Sequence, residues 1–242
     1  MKSFGSGLNV AVAGATGGIG KALCAQLVAM PSVNRLYSLS RVQNADANSI
    51  YFDLTVESSI AAAAEAIKDS AGVLHLVVVA TGVLHDGATF QPEKNWRGIN
   101  PENFERAFRV NATGPALVAK YFLPLLARDR KVAFAALSAR VGSISDNDLG
   151  GWYAYRASKA ALSMLIRGLS IELARRSPDA LCVGLHPGTV DTGLSTPFQS
   201  NVPRESLFSP DYASARLLEV LDALTAADTG GVFAWDGARI PP

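Results

Sequence analysis

The apolar run Leu8–Ala13 breaks into a glycine cluster, Gly14, Gly17, Gly18 and Gly20, and then into a helical pattern. No other stretch narrows the possible folds as far. A buried strand, a glycine turn and a helix in direct succession form the entry to a dinucleotide-binding unit. Gly14 permits the tight turn, Gly18 lets the backbone approach a pyrophosphate, and Gly20 allows the helix to pack closely on the strand. Free amides at the helix start then face phosphate oxygens. The candidate cradle is therefore Gly14, Thr16, Gly17, Gly18, Ile19 and Gly20. A glycine cluster can also be only a turn; its place between the first strand and the first helix favours the dinucleotide.

The rest of the chain extends this unit. β-like runs near 33–40, 49–54, 74–81, 131–138, 181–187 and 231–235 alternate with helical segments near 19–30, 56–69, 101–109, 112–127, 152–176 and 210–226. Such alternation points to a parallel sheet covered on both faces. The unbroken apolar run Leu76–Ala80 suits a strand buried on both sides. The expected architecture is an α/β fold: one doubly wound (Rossmann-type), mostly parallel sheet with helices on both faces, in a single domain spanning 1–242. Thr55 is the expected cap of a helix starting at Val56, with Glu57 favourable in its first turn. Asn100 followed by Pro101 marks another helix start. Sheets of this kind bind ligands beyond the carboxyl ends of their strands, where the strand order reverses.

Composition removes several function classes. Of 242 residues, 49% are hydrophobic, enough for one sizeable core. With 22 Lys+Arg against 21 Asp+Glu, no global field draws the chain to nucleic acid or an anionic membrane. The apolar runs at 76–84 and 132–137 are too short to span a bilayer. The first apolar stretch runs straight into the glycine cluster, where leader cleavage would destroy the turn, so a cytoplasmic location is expected. Cys24 and Cys182 lack CxxC spacing and read as small buried hydrophobes. His75, His85 and His186 show no metal-ligand spacing, and no metal is expected. His85 and His186 follow strands and could line a site.

The second strand speaks to the cofactor. It ends Leu39, Ser40, Arg41, with no acid before Asp46. An acid there would bind the ribose 2′-hydroxyl of NAD, whereas an arginine accommodates the 2′-phosphate of NADP. Ser40 and Arg41 therefore favour NADP(H) over NAD(H), the plainer alternative being that Arg41 is a solvated surface charge. In the second half, Tyr155 and Lys159 lie four apart on one helical face, a stripe that continues through Leu162, Ile166, Leu169 and Leu173. An ammonium beside a phenol favours phenolate and is expected to draw Tyr155 below the usual value of about 10. That would make it a proton donor or acceptor near neutral pH. Alone, such a pair is more often an amphipathic surface contact; beside a dinucleotide turn the catalytic reading prevails.

The GxxxGxG and YxxxK motifs, in this order, resemble those of the short-chain dehydrogenase/reductase family. The stretches Val83–Asp86, Gly142–Ile144, Gly151–Leu162 and His186–Gly188 look most like the branch holding the C-factor protein and Sniffer-type carbonyl reductases. The resemblance implies hydride transfer between a nicotinamide and a carbonyl or alcohol, and it implies roles for further residues. Asp53 and Leu54 match the pair that contacts adenine. Ala80, Thr81 and Gly82 stand where the family often carries an asparagine-rich turn, and Gly82 keeps the close backbone approach. Asn111 matches an asparagine that holds a water linking the lysine to solvent; its plainer alternative is a buried helical asparagine. Pro187, Gly188, Val190 and Thr192 match PGxVxT, with Val190 and Thr192 on the carboxamide. Ser138 matches the serine that hydrogen-bonds the substrate carbonyl. Here the chain departs from the pattern: three residues before Gly142 stands Ala139, and adjacent strand residues face opposite sides. Ser143 is the alternative donor. The stretch between Ser138 and Tyr155 is also long for the family and implies an insertion.

In the mechanism so implied, Tyr155 and Ser138 hydrogen-bond the carbonyl oxygen, Tyr155 donates its proton, Lys159 stabilises the phenolate, and Asn111 with water resupplies the proton. The segment 191–210 is the expected substrate loop, with Leu194, Phe198, Leu207, Phe208 and Trp152 as an apolar wall or as simple packing. A homodimer or homotetramer through helices 112–127 and 152–176 is the family expectation. The rival is a C-factor-like signalling or interaction protein that binds dinucleotide with little turnover.

Overall fold

Residues 8–13 do form the central strand that their composition demands. The structure, a computed structural model, describes residues 1–43, 45–200 and 202–242. β1 (Leu8–Ala13) lies between β2 (Val33–Ser40) and β4 (Leu76–Val79), parallel to both. β3 (Ser49–Tyr51) lies outside β2. On the other side follow β5 (Val132–Leu137), β6 (Ala180–His186), β9 (Val232–Ala234) and β10 (Arg239–Ile240), so the eight-stranded order is β10-β9-β6-β5-β4-β1-β2-β3. All pairings are parallel except β9 with β10. The chain winds outward from β1 through β3 and then returns to β4, which places the reversal of strand order between β1 and β4.

Both faces of the sheet are sealed by helices, as strand–helix alternation requires. On one face Ala11, Ala13, Val77, Val79, Phe134 and Ala136 pack with Ile60 and Ile67 of α2 (Glu57–Ala71), Val118 and Phe122 of α4 (Gly114–Phe122), and Leu162, Ile166 and Leu173 of α5 (Tyr153–Ala174). On the other, Val10, Val12, Val78, Ala135 and Val183 pack with Leu23 and Leu27 of α1 (Gly18–Val28) and Leu217 and Leu221 of α6 (Pro210–Ala223). Successive residues of β1 serve opposite cores, the two-residue period of a strand buried on both sides. The stripe below the Tyr–Lys pair is thus the sheet-facing side of α5; Leu169 is partly buried at its margin. Among the described residues no helix is long and apolar enough to cross a membrane.

Three local expectations need correction. Thr55 does not cap α2: its hydroxyl donates to Asp53 Oδ1 at 2.8 Å, and its amide donates to the same oxygen at 2.9 Å. Asp53 thereby closes an Asx turn, a local alternative to a cap, and α2 starts at Glu57 after an uncapped Val56. The helices expected at 101–109 and 112–127 form one helical path. α3 (Pro101–Phe108) passes into a π-helical turn, Arg109–Thr113, then into α4 and a 3₁₀ turn at Leu123–Leu125. A π turn adds a residue to the backbone spiral and is common at functional sites; here it carries Asn111. The start at Asn100 is as read: Asn100 Oδ1 accepts from the Asn103 amide at 2.8 Å, with Pro101 in the first turn. Third, the strand expected over 49–54 pairs only over Ser49–Tyr51.

Phe134 sits at the middle of β5, 1% exposed. Replacing it by alanine should cost about 3–5 kcal/mol of stability. The urea midpoint should fall with an unchanged slope; a loss under 1 kcal/mol would show that this core is not packed as described.

Candidate active site

The glycine turn and the end of β4 meet at the reversal point. Gly14 has φ +85°, and a Cβ there would lie 2.9 Å from Thr81 Cγ2 and 3.1 Å from the Ala80 carbonyl carbon. Both the backbone sign and the space require glycine. A Cβ on Gly20 would collide with the Gly14 carbonyl, so α1 rests directly on the turn. Gly18 lies at the surface opposite Thr192, whose Cγ2 would be 2.5 Å from an added Cβ. Thr16 and Gly17 are exposed at the mouth and Ile19 is half-buried beneath them. At the far end of the crevice, Ser40 is buried with its hydroxyl on the Val42 carbonyl, while Arg41 is exposed. Asp53 is held below the ordinary carboxylate range, first by the Thr55 amide and further by the Arg41 and Arg109 charges. Leu54 is buried against Gly114, the first residue of α4.

Beyond Gly82 the chemistry-bearing side chains converge. An added Cβ on Gly82 would lie 3.6 Å from Asn111 Oδ1 and 3.8 Å from Lys159 Nζ. Asn111 is fully buried; Oδ1 accepts from the Val83 amide at 2.9 Å, and Nδ2 donates to the Val83 carbonyl at 2.9 Å and to Ser158 Oγ at 3.1 Å. Its side chain ties the strand-end loop to α5. Lys159 Nζ donates to the Leu137 carbonyl at 2.7 Å and lies 5.8 Å from the Tyr155 ring centre. Burial pushes the Lys159 ammonium down to about 8 and the Tyr155 phenol up to about 12. The expectation of an acidified phenol is therefore corrected. In this closed site, desolvation outweighs the neighbouring ammonium, whose nearest partner is a carbonyl.

The two candidate serines differ sharply. Ser138, just past β5, is 5% exposed and its hydroxyl has no hydrogen-bond partner. Ser143 Oγ is engaged with the Pro242 carbonyl at 3.3 Å and the Asp146 amide at 3.2 Å. β5 ends at Leu137, and the still extended Ala139 precedes a 3₁₀ turn over Arg140–Gly142, so Ser138 faces the buried side and Ala139 the opposite one. The long stretch that follows, 144–150, is exposed.

A wall of rings stands over Tyr155. Trp152 meets Tyr155 at 6.1 Å and Phe198 at 5.0 Å, and Phe198 meets His85 at 5.5 Å, each edge to face. His85 Nε2 lies 3.0 Å from the Gly193 carbonyl, so this nitrogen carries the hydrogen. Phe208 belongs to a different cluster, packed at 4.6 Å on Trp235 above Gly188, whose φ is +77°. β7 (Thr189–Val190) pairs with β8 (Leu207–Phe208), and the Asp191 amide donates to the Phe208 carbonyl. The expected substrate loop is thus pinned at both ends; Leu194 is exposed, and position 201 lies outside the described residues. Pro187 is half-buried and Val190 buried beneath the loop. His186 Nδ1 is buried without a partner, and burial draws its imidazole down to about 4, leaving it neutral.

A family model described as "short chain dehydrogenase" matches residues 8–203. The chain belongs to the short chain dehydrogenase family. Within it, C-signal of Myxococcus xanthus is 37% identical over 143 residues, 59% of this chain and 81% of that protein. The 1-hydroxy-2-glutathionyl-2-methyl-3-butene dehydrogenase of Rhodococcus sp. (strain AD45) is 30% identical over 76% of each chain. Among solved structures, the carbonyl reductase Sniffer of D. melanogaster aligns at a TM-score of 0.83, with 21% identity over 98% of this chain and 100% of its own. NADPH-bound carbonyl reductase from chicken fatty liver aligns at 0.84, with 23% identity over 98% and 95%. These likenesses bear out the resemblance to the C-factor and Sniffer branch in sequence and fold respectively.

Two features around the site escaped the sequence. The β7–β8 ladder is too short for any periodic signal. Glu93 looks like one more loop charge, yet it is 4% exposed and bonded to the start of α5. The buried amine carries a pH signature. The folded state loses the Lys159 proton near 8 and the unfolded chain near 10.5, so between those values the unfolded chain binds more protons and stability rises with pH. Relative to Lys159→Met, the unsubstituted protein should gain roughly 3 kcal/mol between pH 7 and 10.5, at about 1.4 kcal/mol per pH unit. Urea denaturation at stepped pH reads this, and a constant difference would refute the buried ammonium.

Proposed function

We propose that this chain is an NADP(H)-preferring oxidoreductase, a single domain that interconverts a carbonyl compound and an alcohol with Tyr155 as general acid and base. The observation that carries the reading is the buried constellation of Tyr155, Lys159 and the unpartnered Ser138 hydroxyl at the carboxyl end of β5.

The residues fit a dinucleotide. Gly14 and Gly20 leave no room for side chains, Gly18 and Thr192 face each other across the turn, and Thr81 Oγ1 is buried without a partner. Gly14, Thr16, Gly17, Gly18, Ile19 and Gly20 would hold the phosphates. Asp53 and Leu54 would contact the adenine, Ala80, Thr81 and Gly82 would lie against the cofactor by backbone approach, and Pro187, Gly188, Val190 and Thr192 would hold the nicotinamide half, alongside Tyr155 and Lys159. Ser40 and the exposed Arg41, which makes no ion pair among the described residues, favour a 2′-phosphate. A nicotinamide bound there supplies or takes the hydride.

The protein handles the proton. Ser138 Oγ and Tyr155 Oη hydrogen-bond the substrate oxygen, and the phenol, neutral at rest, releases its proton to it as charge develops. Lys159 stabilises the phenolate so formed, strongly because the site is dry. Asn111 holds the strand-end loop to α5, and its second Oδ1 lone pair is the place for a water that returns the proton. The rings of Trp152, Phe198 and His85 favour an apolar carbonyl substrate under a loop spanning 191–210. The protein is expected in the cytoplasm as a homodimer or homotetramer; the exposed Met164 and Ile171 on α5 support self-association. The likeness to C-signal favours one second reading, a dinucleotide-binding signalling protein with little turnover.

NADPH oxidation with a panel of aromatic and aliphatic ketones separates the two. Tyr155→Phe should lower kcat by about 10²–10⁴-fold while the NADPH-induced thermal shift persists. Turnover unchanged by that substitution would defeat the assignment. Arg41→Ala should narrow the preference for NADPH over NADH in the same shift assay; an unaltered preference would remove Arg41 from the cofactor site.

A further inference from the structure

A buried carboxylate that the chemistry above does not use sits at the head of the catalytic helix. Glu93 lies in the loop between β4 and α3, 4% exposed. Its Oε2 accepts from the Ala154 amide at 3.1 Å, and its Oε1 accepts from Asn103 Nδ2 at 3.2 Å. Its own carbonyl accepts from the Trp152 amide at 2.6 Å. One residue therefore grips the chain at two positions, 152 and 154, as it enters α5.

That entry has an unusual backbone. Trp152 precedes α5 with φ 51° and ψ 42°, and it is the one non-glycine residue with positive φ among the described residues. For a bulky residue this conformation is strained and persists only where the surroundings impose it. The Trp152 side chain makes no cap for the helix, so the first amides of α5 depend on another group. Glu93 is that group, and its negative charge lies at the positive end of a 22-residue helix. The left-handed turn then sets the Trp152 ring edge-on against Tyr155, three residues into the chain that Glu93 holds.

We propose that Glu93 is a positioning residue for the Tyr155 hydroxyl, fixing it through the first turn of α5 and the left-handed backbone of Trp152. It touches neither substrate nor cofactor. Its effect is on the aim of the phenol, where a displacement of the order of 1 Å costs about 10²-fold in rate. The proposal rests on Tyr155 being the proton donor, so its test has one arm that needs no turnover.

The experiment compares Glu93→Ala, Glu93→Asp and Glu93→Gln with a remote control, Thr225→Ala, which removes a capping box far along the chain. Glu93→Ala should lower kcat by about 10²-fold with KM for NADPH within twofold. Glu93→Asp, with the same charge drawn back by one methylene, should show a smaller kcat loss and keeps the test alive if the alanine variant does not fold. Glu93→Gln should recover most of kcat, because its amide oxygen still accepts from Ala154. Thr225→Ala should leave kcat unchanged at a comparable loss of Tm. Equal kcat losses in Thr225→Ala and the Glu93 variants, or a rise in KM for NADPH in step with the fall in kcat, would overturn the proposal. The second arm is tyrosinate absorbance at alkaline pH, taken as a difference from the matching Tyr155→Phe protein. Tyr155, which titrates near 12 in the buried site, should ionise at lower pH in Glu93→Ala and Glu93→Asp. An unmoved titration overturns the positioning role even if the protein turns over no carbonyl, an outcome that would separately reject the proposed activity.

Discussion

The hydrogen bond from Lys159 Nζ to the Leu137 carbonyl joins α5 to the end of the sheet. Everything at the site depends on that junction. It is possible because Gly142 has no side chain: a Cβ there would lie 2.6 Å from Lys159 Cβ. The chain leaving β5 therefore passes directly over α5, and Ser138, Tyr155 and Lys159 come to share one buried corner. From the other side Asn111 reaches the same corner, carried by a π turn and locked to Val83 and Ser158.

This corner is held at a cost. Burial disfavours the charged forms of both the phenol and the amine, moving their proton affinities in opposite directions, up for Tyr155 and down for Lys159. At rest the phenol keeps its proton, and the amine stands near the edge of losing its own. A negative charge forming on an oxygen beside them would meet little solvent screening, so a modest ammonium charge acts strongly there. The same desolvation that weakens the fold strengthens the response to a developing charge.

Much of this was legible in the residues, and for identifiable reasons. A strand buried on both faces must be almost continuously apolar, and β4, β5 and, Asn9 apart, β1 are. A helix docked on a sheet must show a 3.6-residue stripe, and Leu162, Ile166 and Leu173 supply it beneath Tyr155 and Lys159. Glycines at van der Waals contact leave their mark directly in the sequence. What stayed hidden was set by contacts between distant segments. Thr55 has the chemistry of a helix cap but spends it on Asp53. The π turn at Arg109–Thr113 has the composition of ordinary helix. Ser138 and Ser143 have equal hydroxyls, and only the engagement of Ser143 with Pro242 and Asp146 distinguishes them.

The sequence by itself determined the layers, the parallel sheet, the glycine turn and the pairing of Tyr155 with Lys159, because each follows from local periodicity or from the presence or absence of a Cβ. The tertiary structure decided the protonation balance of that pair, the free state of the Ser138 hydroxyl and the burial of Glu93 at the head of α5. Those properties depend on how completely water is excluded and on which polar group lies nearest across the fold. Neither quantity exists until segments far apart in the chain have been brought together.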